Sequence, residues 1–507
     1  MRKTILKYLI LIVGVLVALI FYLSLVGLET EKFNNQIKRK VIETNNKLEL
    51  ELKKIKLTLD PLNFKINAKT IGTKIIYQKK QIELEYISTQ ISLNSLIKNK
   101  FVSSHLELST KSILLNDLVT FVRALSNRSE LFILEQFIKK GHVIVNAKLN
   151  IDENGNVKKD FEIKGLLKDG KIKLLKNYNF NKINFNLNIK NNVIDLKDIS
   201  FKTNKIDIFS DNLKITQNKK NFFFEGEFQN KNSILNNELI DLIKLNLKNL
   251  NLVNTKFSSK NNFSFSVSDN FKLKNLVLDS EIILNEAKYK KPILLNEYFP
   301  EVKEEIDLKD HKIKFSYKKN DFSAKGNGKI KLQEKLDEIE YSIIKNEKDF
   351  NFISNIFLSK LNIKNQPFLK NFFPNIKETI DLKDHKIKIK YNKNNIYLNG
   401  SGKIKLDKEF DKINYSILKN DNVFDFHTNL NLDKTSLKID NLNFSKDDKS
   451  KARLSVLGNY KNNNGLTLNK VSILSEDNRI ILKNFLLDKE NKINKFDKID
   501  LDYIDTE

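Results

Sequence analysis

The sequence predicts a mainly β chain, in which one N-terminal transmembrane helix precedes an elongated, curled antiparallel β-sheet with a few short helices. Three observations predict this fold class. The residues from Tyr8 to Leu28 form an apolar run, and apolar and polar residues alternate along most of the chain after Lys47. In addition, the segment that begins at Ile306 returns further along the chain at Ile380.

The apolar run predicts a membrane anchor over residues 1–28, with Tyr8 near its start, Leu16 in its middle and Leu28 at its end. At 1.5 Å per residue, such a helix spans about 30 Å, the thickness of the hydrocarbon core of a bilayer. A cleaved signal peptide is the alternative, but its apolar core is usually about 7–15 residues and ends at a small-residue cleavage site. We therefore expect a retained single-pass anchor.

Residues 29–46 are predicted to form a juxtamembrane helix that continues the anchor out of the membrane. Phe33, Ile37 and Val41 are spaced by four, which places them on one face of a helix. The next segment, residues 47–290, is predicted to be an N-terminal β-groove, because its apolar residues recur at every second position, as in a sheet with one apolar and one polar face. A helical insert is expected near 116–140, and a further helix at 232–245.

Residues 291–446 are predicted to hold two 74-residue β repeats. The segment Ile306–Lys314 recurs letter for letter as Ile380–Lys388, and a Gly-x-Gly motif at Gly326 recurs at Gly400. Each repeat is expected to hold four or five strands behind a Pro-bounded aromatic segment, in an array that grows in one direction. Residues 447–507 are interpreted as terminal strands.

A long sheet with one apolar face needs a cover, and the predicted helices are too few to supply one. Exposed apolar surface costs roughly 25 cal/mol per Å², so the sheet must curl, pack against a second sheet or shelter something apolar. A core between two packed sheets would give the same alternation. We predict instead a lipid-facing groove lined by thirteen side chains: Ile183, Phe185, Leu187, Ile189, Phe263, Phe265, Val267, Ile313, Phe315, Tyr317, Ile387, Ile389 and Tyr391.

The rest of the composition argues against several classes of function. The net charge is +26, but the lysines are spread singly along strands and beside acidic residues, unlike the clustered basic residues of a nucleic-acid-binding protein. The chain has no cysteine and five histidines without metal-ligand spacing, so no metal, cofactor or enzymatic site is predicted. His311, His385 and the Gly-x-Gly motifs are interpreted as turn or strand-end residues, and Asp152–Asn156 as a hairpin turn rather than a calcium loop.

Several segments resemble the AsmA-like family of Gram-negative envelope proteins, in the branch that contains YhdP and TamB. The resemblance is strongest over about the first 175 residues, and it rests on the anchor, on Thr30–Ile37, on Ile55–Leu59, on Ser112–Leu118 and on the hairpin that starts at Leu149. Beyond this part of the chain the likeness is one of strand pattern. Because members of the branch are often much longer, a complete bridge between two membranes is not expected from this chain alone.

The resemblance implies a protein anchored in the inner membrane, with the bulk of the chain in the periplasm. It also implies phospholipid as the cargo, and outer-membrane or other envelope proteins as possible partners at the C-terminal end. The sequence therefore leads to a β-groove protein that conducts acyl chains without covalent chemistry. The alternative is a structural or chaperone-like envelope assembly protein that pairs its strand edges with other β-proteins.

Overall fold

The computed structural model describes sixteen stretches of the chain, and the statements below concern these residues. They are 2–44, 47–77, 80–93, 103–126, 129–150, 158–174, 178–218, 221–235, 252–268, 272–291, 301–319, 321–347, 349–392, 395–461, 465–487 and 493–502. Within them the chain is mainly β with one long N-terminal apolar helix and few short helices, so the predicted fold class is confirmed. The described strand registers are antiparallel.

The chain divides into two compact units. Unit 1 comprises Met1–Asn230 and Asn262–Lys274, and unit 2 comprises Lys231–Asn261 and Asn275–Glu507. The boundaries predicted at 290 and 446 stay sequence-based predictions.

The helices of unit 1 are α1 (Arg2–Leu25), α2 (Asn34–Thr44), α3 (Leu115–Ser126) and α4 (Ser129–Phe137). Its strands are β1 (Leu28–Thr30), β2 (Leu48–Glu51), β3 (Lys54–Asp60), β4 (Lys65–Ile71), β5 (Thr73–Tyr77), β6 (Lys80–Ser92), β7 (Ser103–Thr110), β8 (Ile113–Leu114), β9 (Ile138–Asn150), β10 (Glu162–Leu174), β11 (Tyr178–Lys190), β12 (Val193–Thr203) and β13 (Ile206–Asn218). Three strands contribute residues to both units: β14 (Asn221–Ile234), β15 (Leu252–Ser268) and β16 (Leu273–Lys290).

The remaining strands belong to unit 2. They are β17 (Glu305–Lys318), β18 (Asp321–Lys331), β19 (Asp337–Lys345), β20 (Phe350–Lys364), β21 (Thr379–Asn392), β22 (Asn395–Lys405), β23 (Asp411–Asn420), β24 (Val423–Leu432), β25 (Leu437–Ile439), β26 (Phe444–Lys446), β27 (Ala452–Lys461), β28 (Gly465–Ser475), β29 (Arg479–Leu487), β30 (Ile493–Lys495) and β31 (Lys498–Asp502). Short 3-10 helices span Pro367–Asn371 and Asp440–Leu442. Each of the two sequence repeats therefore holds four strands, β17–β20 and β21–β24.

The juxtamembrane segment does not continue the anchor helix, contrary to the sequence-based expectation. α1 ends at Leu25, and Gly27 has φ +74°, a left-handed conformation that an α-helix cannot contain. Leu28, predicted to end the anchor, lies in β1 and pairs with Leu57 of β3. α2 then starts separately at Asn34, and Ile37 and Val41 pack on the core of Leu50, Leu52 and Ile55, as their spacing predicted.

The predicted helical insert is present as α3 and α4. α3 runs from Leu115 to Ser126, close to the predicted bounds, whereas α4 ends at Phe137 and the chain enters β9 at Ile138. Of the helix predicted at 232–245, residues 232–234 lie in β14 and the remainder falls outside the described residues, apart from Leu235.

β-bulges bend consecutive strands in both units. Asp310 has φ +53° and the register of β17 with β18 shifts between Lys309 and Lys312; Asp384 and β21 repeat this arrangement. In unit 1, Asp169, Lys182 and Asp198 also have φ near +50° in β10, β11 and β12. Asp and Asn tolerate the left-handed region better than other non-glycine residues, and bulges increase the local twist of a strand. The frequent Asp and Asn residues thus have a structural use in the sheet.

Candidate functional site

The candidate site of unit 1 is an apolar face that carries a continuous series of phenylalanine rings. Phe180 contacts Phe201 and Phe201 contacts Phe228, both edge to face with centroids 5.6 Å apart. Phe228 stacks on Phe263 at 4.9 Å, and Phe263 lies 5.8 Å from Phe265. Phe224 completes the series, stacked 4.7 Å from Phe265. Rings that touch across strands must share one face of the sheet, so the predicted Phe263 and Phe265 lie on that face.

Helix α3 covers one part of this face. Leu115 and Leu118 pack against a core of Val143, Leu167 and Ile183. Ile183 is only 8% exposed, so its predicted lipid-facing position is filled by the protein itself. Phe185 packs at the margin of this core, and Leu187, Ile189 and Val267 are half-buried. The side chains beyond α3 therefore remain partly open.

In unit 2, strand register brings the predicted residues of both repeats onto one face. Ile313 of β17 pairs with Gly326, Gly326 with Tyr341, Tyr341 with Ser354 and Ser354 with Ile389. Directly paired residues point to the same side of a sheet. The repeat equivalent of Ile313 is Ile387 rather than Ile389, so successive repeats are displaced by two positions along the strand direction.

This face of unit 2 has a covered part and an open part. In the covered part, Ile306 is 3% exposed beneath Val302, Leu358 and Leu361, and its repeat equivalent Ile380 is also 3% exposed. The cover includes connecting segments between the strands. Phe373 and Ile376 follow the 3-10 helix Pro367–Asn371. Leu437 lies in β25 and Phe444 in β26. The open part consists of half-buried side chains, which are Ile313, Phe315, Tyr317, Ile387, Ile389 and Tyr391.

Two equivalent histidines lie where the covered and open parts meet. His385 is 1% exposed; its Nε2–H donates to the carbonyl of Lys403 at 3.0 Å, so Nδ1 accepts from the hydroxyl of Tyr415 at 3.2 Å. His311 makes the same contacts with Lys329 and Tyr341. Burial lowers the pKa of both histidines and raises the pKa of Tyr341 to about 12, because the charged forms lose their hydration.

The interpretation of these histidines and of the Gly-x-Gly motifs as turn or strand-end residues is wrong. His311 follows the bulge at Asp310 inside β17, and Gly326 and Gly328 lie inside β18. A Cβ on Gly328 would overlap the imidazole of His311, and one on Gly326 would overlap the ring of Tyr341. The glycines are needed because two rings lie directly over the strand, a contact between distant segments that local sequence does not reveal.

The opposite face carries many of the charged side chains. Lys314 lies 3.5 Å from Glu281, and Lys214 lies 3.4 Å from Glu225, each pair joining adjacent strands. The lysines that the sequence spreads singly along the strands thus find acidic partners on neighbouring strands. Such exposed pairs contribute little stability, in the range of about 0–1 kcal/mol each.

No group of three or more His, Asp or Glu side chains suitable for a metal ion occurs among the residues that the structure describes. The hairpin predicted at Asp152–Asn156 lies outside them. The polar pocket of about 240 Å³ beside Phe444 is lined by Lys449, Lys451, Glu476 and Asp477, a mixture of charges that favours no particular ligand.

Helix α1 is the one described helix that is long and apolar enough to cross a membrane, over Lys3–Leu25, and none of this span is buried. It includes Tyr8 and Leu16 and is compatible with a single-pass anchor. Signal sequences share these properties.

Comparison of the chain with family models, with curated proteins and with solved structures finds no match. The resemblance to the AsmA-like family therefore stays a prediction.

Sequence reasoning missed part of the site. Phe201, Phe224 and Phe228 were not among the predicted residues, although Phe224, Gly226 and Phe228 alternate with glutamates in the pattern of a one-sided strand. Tyr341 and Tyr415 were also missed, although they occupy equivalent positions of the two repeats, which was the available signal.

Proposed function

We propose that this protein is anchored in a membrane by α1 and uses the open part of its apolar face to shield and conduct phospholipid acyl chains. The proposal needs no covalent step, cofactor or metal. The observation that carries it is the half-buried state of Ile313, Phe315, Ile387 and Ile389, which lie on one face of strands whose other end is fully buried.

The open part of the apolar face leaves apolar surface available to a ligand. Fully burying a side chain of this size is worth about 1.5–3 kcal/mol relative to leaving it in water, and these side chains realise only part of that. An acyl chain lying along the face would complete the burial without requiring hydrogen bonds, because paired strands already satisfy their backbone groups. The phenylalanine series of unit 1 supplies the same kind of surface.

The location and partners are part of the proposal. The basic residues Arg2, Lys3 and Lys7 precede the apolar run of α1, which favours a cytoplasmic N-terminus and a body on the other side of the membrane. Together with the resemblance to the AsmA-like family, this supports an inner-membrane protein whose body occupies the periplasm. Outer-membrane or other envelope proteins would then receive or supply the lipid.

Photocrosslinking at paired positions tests the proposal. The crosslinking amino acid p-benzoylphenylalanine would replace Phe315 or Ile389 on the apolar face, and Lys314 or Lys390 on the opposite face, in the full chain in cells. We expect phospholipid adducts, detected by mass spectrometry of the purified protein, at Phe315 and Ile389 only. Equal labelling of both faces, or no lipid at either, would contradict conduction. Protein adducts in place of lipid would favour the strand-pairing alternative.

A further inference from the structure

The hairpin tip between β3 and β4 exposes two large apolar side chains to an unusual degree. Leu62 is 91% exposed, the highest value among the large apolar side chains of the described residues, and Phe64 is 67% exposed. Single exposed apolar residues are common on protein surfaces, but two so close together at the end of a turn form a compact apolar projection.

The turn holds these side chains outward by specific hydrogen bonds. The backbone N–H of Asn63 donates to Oδ1 of Asp60 at 3.1 Å, and the Asn63 side-chain amide donates to Oδ2 at 2.9 Å. Phe64 has φ +51°, and its carbonyl accepts from the N–H of Leu93 at 2.9 Å. Because both ends of the turn are fixed, the exposure of Leu62 and Phe64 is built into the hairpin.

The tip lies on the α1 side of the sheet. β1 leaves α1 and pairs antiparallel with β3, with Leu28 opposite Leu57, and Gly27 lies so close to Leu57 and Thr58 that a Cβ would overlap them. β3 therefore runs back past the end of α1 as it approaches its turn. At about 3.3 Å per residue, Asp60 at the end of β3 lies on the order of 10 Å beyond Leu57 in that direction, and the turn with Leu62 follows it.

We propose that the tip formed by residues 60–65 inserts into the interfacial region of the bilayer that α1 spans. Leu62 and Phe64 would replace contacts with water by contacts with lipid. A helix alone leaves the body free to rotate about the helix axis. A second membrane contact fixes the orientation of β3, β4 and β6 relative to the membrane surface.

This inference rests on α1 spanning a membrane and does not depend on acyl-chain conduction. The chain contains no cysteine, so one introduced cysteine can be labelled selectively. The test uses Leu62→Cys in the full chain, labelled with an environment-sensitive fluorophore and reconstituted into vesicles of phosphatidylethanolamine and phosphatidylglycerol. The matched control is Ile71→Cys, also on the surface but at the other end of β4.

We expect lipids that carry a nitroxide near the headgroup to quench the label at position 62 and to leave the label at position 71 unquenched. The emission from position 62 should also lie to the blue of the emission from position 71, and iodide in the water should quench it less. Equal iodide quenching at both positions, with no nitroxide quenching at position 62, would overturn the proposal. Phospholipid adducts at Phe315 would be unaffected by that outcome.

Discussion

The imidazole of His385 lies directly over the backbone of Gly402 on the neighbouring strand, in a position that a Cβ atom would occupy. His311 and Gly328 repeat the relationship one repeat earlier. Each glycine makes room for a buried ring, and each ring restores the packing that a strand glycine lacks. This pairing explains why the two motifs recur at a common offset.

Gly402→Ala should lower the free energy of unfolding by about 1–3 kcal/mol, because the new methyl group overpacks against His385. Urea unfolding followed by circular dichroism measures the change. Gly165→Ala is the matched control, since its Cβ would lie 3.4 Å from the nearest atom, an ordinary contact. The double variant Gly402→Ala with His385→Ala should recover part of the loss. A Gly402→Ala protein as stable as the parent would contradict this account.

The stability of unit 2 should fall as the pH is lowered below about 6.5, the ordinary pKa of histidine. Burial lowers the pKa of His311 and His385 in the folded state, so the unfolded chain binds protons first as the pH falls. The contribution of the neutral histidines is complete above the unfolded pKa and is lost progressively below it.

Urea unfolding between pH 8 and pH 5 measures this dependence. The variant with His311→Gln and His385→Gln serves as the control, because every carboxylate is retained and only the two imidazoles are removed. Its stability should change less over the same range. An unchanged slope would show that groups other than these two imidazoles dominate the acid response.

Ile389→Glu should reduce the amount of phospholipid that co-purifies with the protein, because a carboxylate on the open part of the apolar face cannot be hydrated beside an acyl chain. Lys390→Glu, at the next position and on the opposite face, should leave the amount unchanged. Mass spectrometry of extracted lipid, normalised to protein, provides the comparison. An equal loss in both variants would indicate a general effect of charge.

Leu432→Ala should lower the free energy of unfolding by about 2–5 kcal/mol. Leu432 is 0% exposed in the core that it forms with Leu437 and Phe444, and its truncation leaves a cavity there. Leu457→Ala is the control, since Leu457 is 43% exposed. The chain has no tryptophan, so circular dichroism or tyrosine fluorescence would report unfolding. If both substitutions lowered the free energy of unfolding equally, Leu432 would not belong to a packed core.

Local pattern predicted several elements closely and failed where distant segments meet. α3 was predicted because its apolar residues follow the helical period, and the strands because theirs follow a period of two. The end of α1 was placed too late, since Leu28 is apolar but pairs with Leu57 in the sheet. Ile183 illustrates the same limit within the site. It alternates with asparagines just as Leu187 and Ile189 do, yet α3 packs over Ile183.

The sequence alone determined that this protein has an apolar N-terminal helix, one-sided antiparallel strands and a duplicated unit of 74 residues, because each follows from the spacing of residue types along the chain. The tertiary structure decided which apolar residues are covered. Ile306 and Ile313 belong to the same repeated motif, but Val302, Leu358 and Leu361 bury the first while the second stays half-exposed. Burial depends on segments far apart in sequence, and periodicity records only which face a side chain occupies.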